Sequence, residues 1–201
     1  MSQNNLERLF QKQVNVFRLQ ELTDSIVAGA CKSGSRFLFT EDVIRRLHSV
    51  AMHKLLDEPG EYRQGPVRLT NSPHVPPPWV EVQGHMAGLC EYVNKVWDDA
   101  NLIHLSSYVM WRLNWIHPFR NGNGRTSRAA SYMVLNIKHG QLLPPKNSII
   151  AQIVADRSPY YAALRHADEV VKETSDEIAA LKPMEQLMTM MLKEQVKANL
   201  A

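Results

Sequence analysis

An all-α domain is what the sequence predicts, and three observations predict it. Apolar residues recur at three- and four-residue steps through most of the 201 residues, caps and breakers separate these runs, and a single glycine- and proline-rich stretch interrupts them. The length and the 44% hydrophobic content suit a single domain with a buried core, residues 1–201, and are too small for two large ones.

The elements follow in order. Leu6, Leu9, Phe10, Val14 and Phe17 mark a first amphipathic helix within an amino-terminal helical region, residues 1–40. Val43, Ile44, Leu47, Ala51 and Leu55 mark a second, with Thr40 as N-cap and Glu41 and Asp42 in its first turn, where negative charge suits the helix dipole. Residues 60–79, GEYRQGPVRLTNSPHVPPPW, cannot be helical throughout, and the Val67-Arg68-Leu69 run predicts a short β-hairpin there. Val82, Met86, Leu89, Val93 and Val96 form a third helical face, and Leu105, Val109, Leu113 and Ile116 a fourth. A fifth runs through Ala130, Met133, Val134 and Ile137, and Gly140 is placed to end it. The carboxy-terminal helix, residues 183–201, carries Met184, Leu187, Met188, Met191 and Leu192 on one face. Two roles are open to this face: core packing, or an adaptable surface for a partner or for a homodimer.

Charge and cysteines exclude several classes. Lysine plus arginine (23) nearly balances aspartate plus glutamate (20), so no nucleic-acid partner is expected and an acidic ligand must be held locally. Cys31 and Cys90 form neither a disulfide framework nor a cysteine zinc motif, which suits a reducing compartment. The start, MSQNNLERLFQKQ, lacks a signal peptide's apolar core, and no stretch approaches the ~20 apolar residues of a membrane span. No membrane association and a cytoplasmic location are the expectation.

Residues 117–128, HPFRNGNGRTSR, carry the chemistry. A helix reaches Ile116 and breaks at Pro118, and Gly122 and Gly124 allow a tight turn before the next helix begins near Arg125. Unpaired N–H groups and the helix dipole at that start favour a phosphate. Arg125 and Arg128, three apart, offer bidentate forks for a chain of phosphates. His117, with an ordinary pKa near neutrality, is placed to take a proton from a hydroxyl. Loop, base and forks together make a phosphoryl- or nucleotidyl-transfer constellation; a plain glycine-rich helix–helix turn with surface arginines is the alternative.

The segment resembles the signature of the Fic (filamentation-induced-by-cAMP) family, HxFx(D/E)GNGRxxR, at His117, Phe119, Gly122, Asn123, Gly124, Arg125 and Arg128. GEYR at 60–63, HVPPP at 74–78 and DRSPYYAAL at 156–164 resemble the approach to that family's flap, its exit and the helix after the motif, so the resemblance spans roughly residues 20–170. It implies an all-helical Fic fold with a β-hairpin flap over residues 60–78, and transfer of AMP from ATP, with Mg²⁺, to a serine, threonine or tyrosine hydroxyl of a target protein. By the same resemblance, His117 is the general base, and the backbone of Gly122, Asn123, Gly124 and Arg125 cradles the α- and β-phosphates. Arg125 and Arg128 grip the outer phosphates, and Phe119 anchors the loop. The hairpin near Val67 to Thr70 is the flap that docks the target by strand addition and covers the nucleotide, with Leu69 and Thr70 among the nucleotide-binding residues. Tyr160, Tyr161 and Asp168 fall where the family lines its nucleoside pocket.

Two departures stand out. Where the family's acidic residue holds Mg²⁺, this chain has Asn121, whose amide brings no charge, so weak metal binding is expected. Retention of Gly124 and Arg125 favours nucleotidyl transfer over transfer of a phosphate. The family's inhibitory helix, (S/T)xxxE(G/N), aligns best with Asp24–Gly29 and puts Ala28 where its glutamate would stand. Other registers put Gly29 or Ser33 there, and none of the three pairs with Arg128, so an enzyme without this lock is expected. Transfer of another nucleotide or of a phosphate, and a nucleotide-binding regulatory module with weak catalysis, are the alternatives to AMP transfer.

Overall fold

The computed structural model describes residues 3–69 and 72–200, and these are helical and irregular with no strand. The helices are α1 (Gln3–Ser33), α2 (Glu41–Met52), α3 (Val82–Lys95), α4 (Leu102–Ile116), α5 (Asn123–His139), α6 (Ile149–Ala155), α7 (Ser158–Thr174) and α8 (Glu177–Ala198), with a 3₁₀ turn at Trp79–Glu81 before α3. Side-chain caps set four of the eight starts: Thr40, Asn101, Ser148 and Asp176 each accept from an N–H in the first turn of α2, α4, α6 and α8. Gly140, at φ +87°, ends α5 as expected.

The centre of the fold is the antiparallel pair α4 and α5. Ser131 donates to the Ser106 carbonyl at 2.7 Å, and Asn114 donates to Ser127 at 2.8 Å. Small residues at the crossing let the two backbones come close. One core cluster packs α1, α2 and α3, with parts of α7 and α8, against this pair, and a second packs α6, α7 and α8 against it. No helix among the described residues is long and apolar enough to cross a membrane.

Two expectations are corrected, and one open choice is decided. The inward face of α1 is Asn15, Leu19, Thr23 and Val27, a four-residue step, while Leu6, Leu9, Phe10 and Phe17 are exposed. Asn15 explains the phase, because its amide donates to the Ala51 and His53 carbonyls at the end of α2, at 3.3 and 2.8 Å. Of the two roles open to the methionine-rich face of α8, the structure shows core packing: Met184, Met188 and Met191 are buried within the chain. The β-hairpin is not seen. Residues 61–69 and 72–78 are irregular, and Pro66, Pro73, Pro76, Pro77 and Pro78 remove backbone donors that a ladder needs. Thr70 lies outside the described residues.

Candidate active site

The motif loop is held by side chains from distant parts of the chain. His117 caps the end of α4 in the left-handed region, φ +50°, with its N–H on the Leu113 carbonyl. Arg63 is buried beneath it and donates to the carbonyls of His117 (2.9 Å), Ile116 (3.4 Å), Gly65 (3.2 Å) and Pro77 (2.6 Å). Its charge thus faces the negative end of the α4 dipole, and one side chain ties both ends of the 61–78 segment to the motif. Phe119 is fully buried and stacks on His48 with ring centroids 3.6 Å apart, as the anchoring role requires. The Asn123 side chain accepts from the Phe119 N–H and donates to the Phe119 carbonyl, at 2.9 and 2.8 Å, closing the loop on itself. Gly122 sits at φ +79°, and a Cβ there would meet the Met52 sulfur at 2.6 Å.

This bracing leaves the start of α5 open. Its N-cap Gly122 has no side chain to offer, and the Asn123 and Gly124 N–H groups have no partner among the described residues. They stand beside a cavity of about 550 Å³ whose wall includes Leu69, Asn114, His117, Asn121, Gly122, Asn123, Gly124, Arg128, Tyr160, Tyr161 and Asp168. The absence of a Cβ at Gly124 makes room for the Arg128 guanidinium, which would lie 3.2 Å from it. Most of the predicted site is therefore brought together.

Three predicted roles change. Arg125 points to α2, donating to the Ala51 carbonyl at 3.0 Å, and does not line the cavity, so Arg128 stands there without it. Residue 125 is in the first turn of a helix that begins at Asn123, two residues earlier than expected, and this turns its side chain toward α2. Asn121 lines the cavity, but its amide oxygen accepts from the Gly122 N–H at 2.6 Å, and no group of three His, Cys, Asp or Glu side chains suited to a metal occurs among the described residues. The loop therefore does not fit a protein-held Mg²⁺. Ala28 does not reach the site, since no residue of α1 lines the cavity. Asn15 shares the Ala51 carbonyl with Arg125, and α1 packs against α2 and α5. Ala28→Glu is accordingly expected to leave the affinity for a fluorescent ATP analogue unchanged; a tenfold loss in that titration would put α1 over the cavity.

The proton positions of the histidines follow from their partners. Asn114 presents only a carbonyl to His117 Nδ1, at 3.4 Å, so Nδ1 carries the hydrogen and Nε2 keeps its lone pair. Burial, with Arg63 and His74 nearby, holds His117 down to about 4. At neutral pH it is a free base. His48 accepts the Gly60 N–H at Nδ1 (2.8 Å) and donates from Nε2 to the Asn121 carbonyl (2.9 Å), an arrangement that needs the neutral ring, and burial lowers it to about 4 as well. Both rings stay neutral in the fold and take up protons on unfolding below their ordinary value of 6.5. Stability is therefore full above about pH 6.5 and is lost as the pH falls toward about 4, by a few kcal/mol in all. Urea midpoints between pH 8 and 4.5 check this; a flat profile contradicts it.

His48, Arg63, His74 and Asn114 were not among the residues singled out from the sequence. Asn114 donates to the Tyr160 hydroxyl at 2.9 Å and so places the buried tyrosine beside Arg128. His74 donates to the Trp115 carbonyl at 2.8 Å and faces Asp168, 3.9 Å away, whose other oxygen accepts from the Trp111 indole at 2.9 Å. Arg63 and His74 were signalled only by their place in the GEYR and HVPPP runs and Asn114 by its place on the helix before the motif, while His48, on α2, carried no signal.

Solved structures of similar fold include a Fic-domain-containing signaling protein from Bacteroides thetaiotaomicron, with a TM-score of 0.69 and 21% identity over 93% of this chain and 73% of that one. A Fic family protein from Desulfovibrio desulfuricans gives 0.62 and 20% over 94% and 67%, and the BepC protein of Bartonella tribocorum, solved with bound AMPPNP, gives 0.56 and 13% over 88% and 85%. A family model described as the Fic/DOC family matches residues 38–135, from just before α2 through the motif and most of α5. Residues 38–135 of this chain thus match the Fic/DOC family model, and the chain shares the fold of solved Fic-domain proteins.

Proposed function

We propose that this protein transfers AMP from ATP to a serine, threonine or tyrosine hydroxyl of a target protein. The observation that carries this is the convergence, on one cavity, of an uncapped helix start, the Arg128 guanidinium and the bare Nε2 of a neutral His117. Phosphates bind where N–H groups and a guanidinium meet, and a base beside them serves a hydroxyl that attacks phosphorus. The target oxygen bonds to the α-phosphorus, its proton goes to His117 Nε2, and the bond to the β-phosphate oxygen breaks with pyrophosphate leaving. AMPPNP in the BepC structure is an ATP analogue bound to a protein of the same fold, which supports ATP as the donor. The irregular 61–69 segment has no strand partner among the described residues, and an incoming peptide would supply one.

Incubation with α-labelled and γ-labelled ATP, with and without Mg²⁺, tests the proposal. Label from the α position on protein supports AMP transfer; label from the γ position would mean phosphate transfer, and binding without label a regulatory module. Asn121 favours slow turnover, because the loop supplies no carboxylate. Asn121→Asp keeps an oxygen for the Gly122 N–H and adds a second, charged one. It is expected to raise the rate about tenfold at saturating Mg²⁺ and to make it more Mg²⁺-dependent. A lower rate in that titration would assign Asn121 a positive role of its own.

A further inference from the structure

The cavity mouth carries more positive charge than a nucleotide needs. Arg68 on the 61–69 segment, Arg120 on the motif loop, and Arg157 and Arg165 of the α7 region all line it, and all four are exposed. None makes an ion pair among the described residues. The phosphate seat itself is inside, at the start of α5 and Arg128. Asp168, the one carboxylate on the wall, is turned to Trp111 and His74. Arg157, Tyr161 and Arg165 follow one another at four-residue steps, about 6 Å apart along α7, so two guanidiniums flank a half-exposed ring. The chain as a whole carries only +3, so this is a local concentration and not a basic protein's general surface.

We propose that this rim receives an acidic segment of the target protein, with aspartate or glutamate residues flanking the hydroxyl that is modified. The proposal rests on the AMP-transfer reading of the cavity. Arginines rather than lysines suit it, because a guanidinium grips a carboxylate with two parallel hydrogen bonds. The arginines come from three separate elements around the opening, which matches a peptide lying across the mouth rather than a single phosphate. Charge of this kind steers encounter and sets partner choice more than it adds affinity.

Fluorescence anisotropy tests it with three labelled peptides that share a central threonine flanked by glutamate, alanine or lysine, added to protein saturated with a non-hydrolysable ATP analogue. The glutamate peptide is expected to bind at least tenfold more tightly than the alanine peptide, with the difference shrinking in high salt. Arg68→Glu with Arg120→Glu is expected to abolish that preference while the affinity for the ATP analogue stays within about twofold. Equal binding of the glutamate and alanine peptides overturns the proposal. So does a parallel loss of nucleotide affinity in the double variant, which would give the rim to the nucleotide. Failure of the ATP analogue to bind the parent protein would instead overturn the nucleotide reading, and it is read out separately from the peptide binding.

Discussion

His117→Ala is expected to lower AMP transfer by about 10²–10⁴-fold, the range associated with loss of a general base. The affinity for ATP is expected to change little, because the imidazole Nε2 serves the incoming hydroxyl and the phosphates rest on the α5 start and Arg128. The loop should survive, since its braces are Arg63, His48 and Asn123, and Arg63 reaches a main-chain carbonyl that alanine retains. The left-handed backbone at residue 117 adds a modest strain in the variant. Single-turnover transfer rates, with ATP affinity measured in parallel, check this. A parent-like rate would remove His117 from the chemistry.

Arg63→Met is expected to produce the largest stability loss of any substitution outside the apolar core. The side chain is 4% exposed and its partners are carbonyls from two segments, so methionine fills the volume but leaves the His117 and Pro77 carbonyls without their donor. Removing a buried charged donor from such a set costs roughly 3–5 kcal/mol. For a chain of this size that corresponds to a fall in Tm on the order of 10 °C. Arg63→Lys keeps the charge but not the fork, and an intermediate loss is expected. Thermal melts of the three proteins decide it; a shift under about 2 °C for Arg63→Met would mean that the 61–78 segment is held by other means.

What could be read in the sequence was what is local or contiguous. The twelve residues of the motif are adjacent, and the loop-to-helix turn they encode is present with Gly122 at positive φ. Helices announced by caps, such as Thr40 before α2, begin where the cap stands. The phase of α1 was misread because its inward face uses Asn15 and Thr23, polar residues satisfied by carbonyls, while larger apolar residues stay outside. The Val67-Arg68-Leu69 run has strand-forming residues but no strand partner among the described residues, so a local preference found nothing to pair with there. Arg63 and His48 were hidden for a different reason. Their partners lie 54 and 73 residues away, and no spacing rule connects them. Arg125 shows the same limit in reverse: its place in the motif suggested a phosphate, and a contact with Ala51, 74 residues away, turned it aside.

The central claim is that nucleotide phosphates rest on the N–H groups at the start of α5, and amide chemical shifts measure this directly. On titration with ATP, the Asn123 and Gly124 amide resonances are expected to move furthest, in step with the Arg128 side chain, while Ala28 and the rest of α1 stay in place. Saturable shifts elsewhere with Asn123 and Gly124 unmoved would contradict the account.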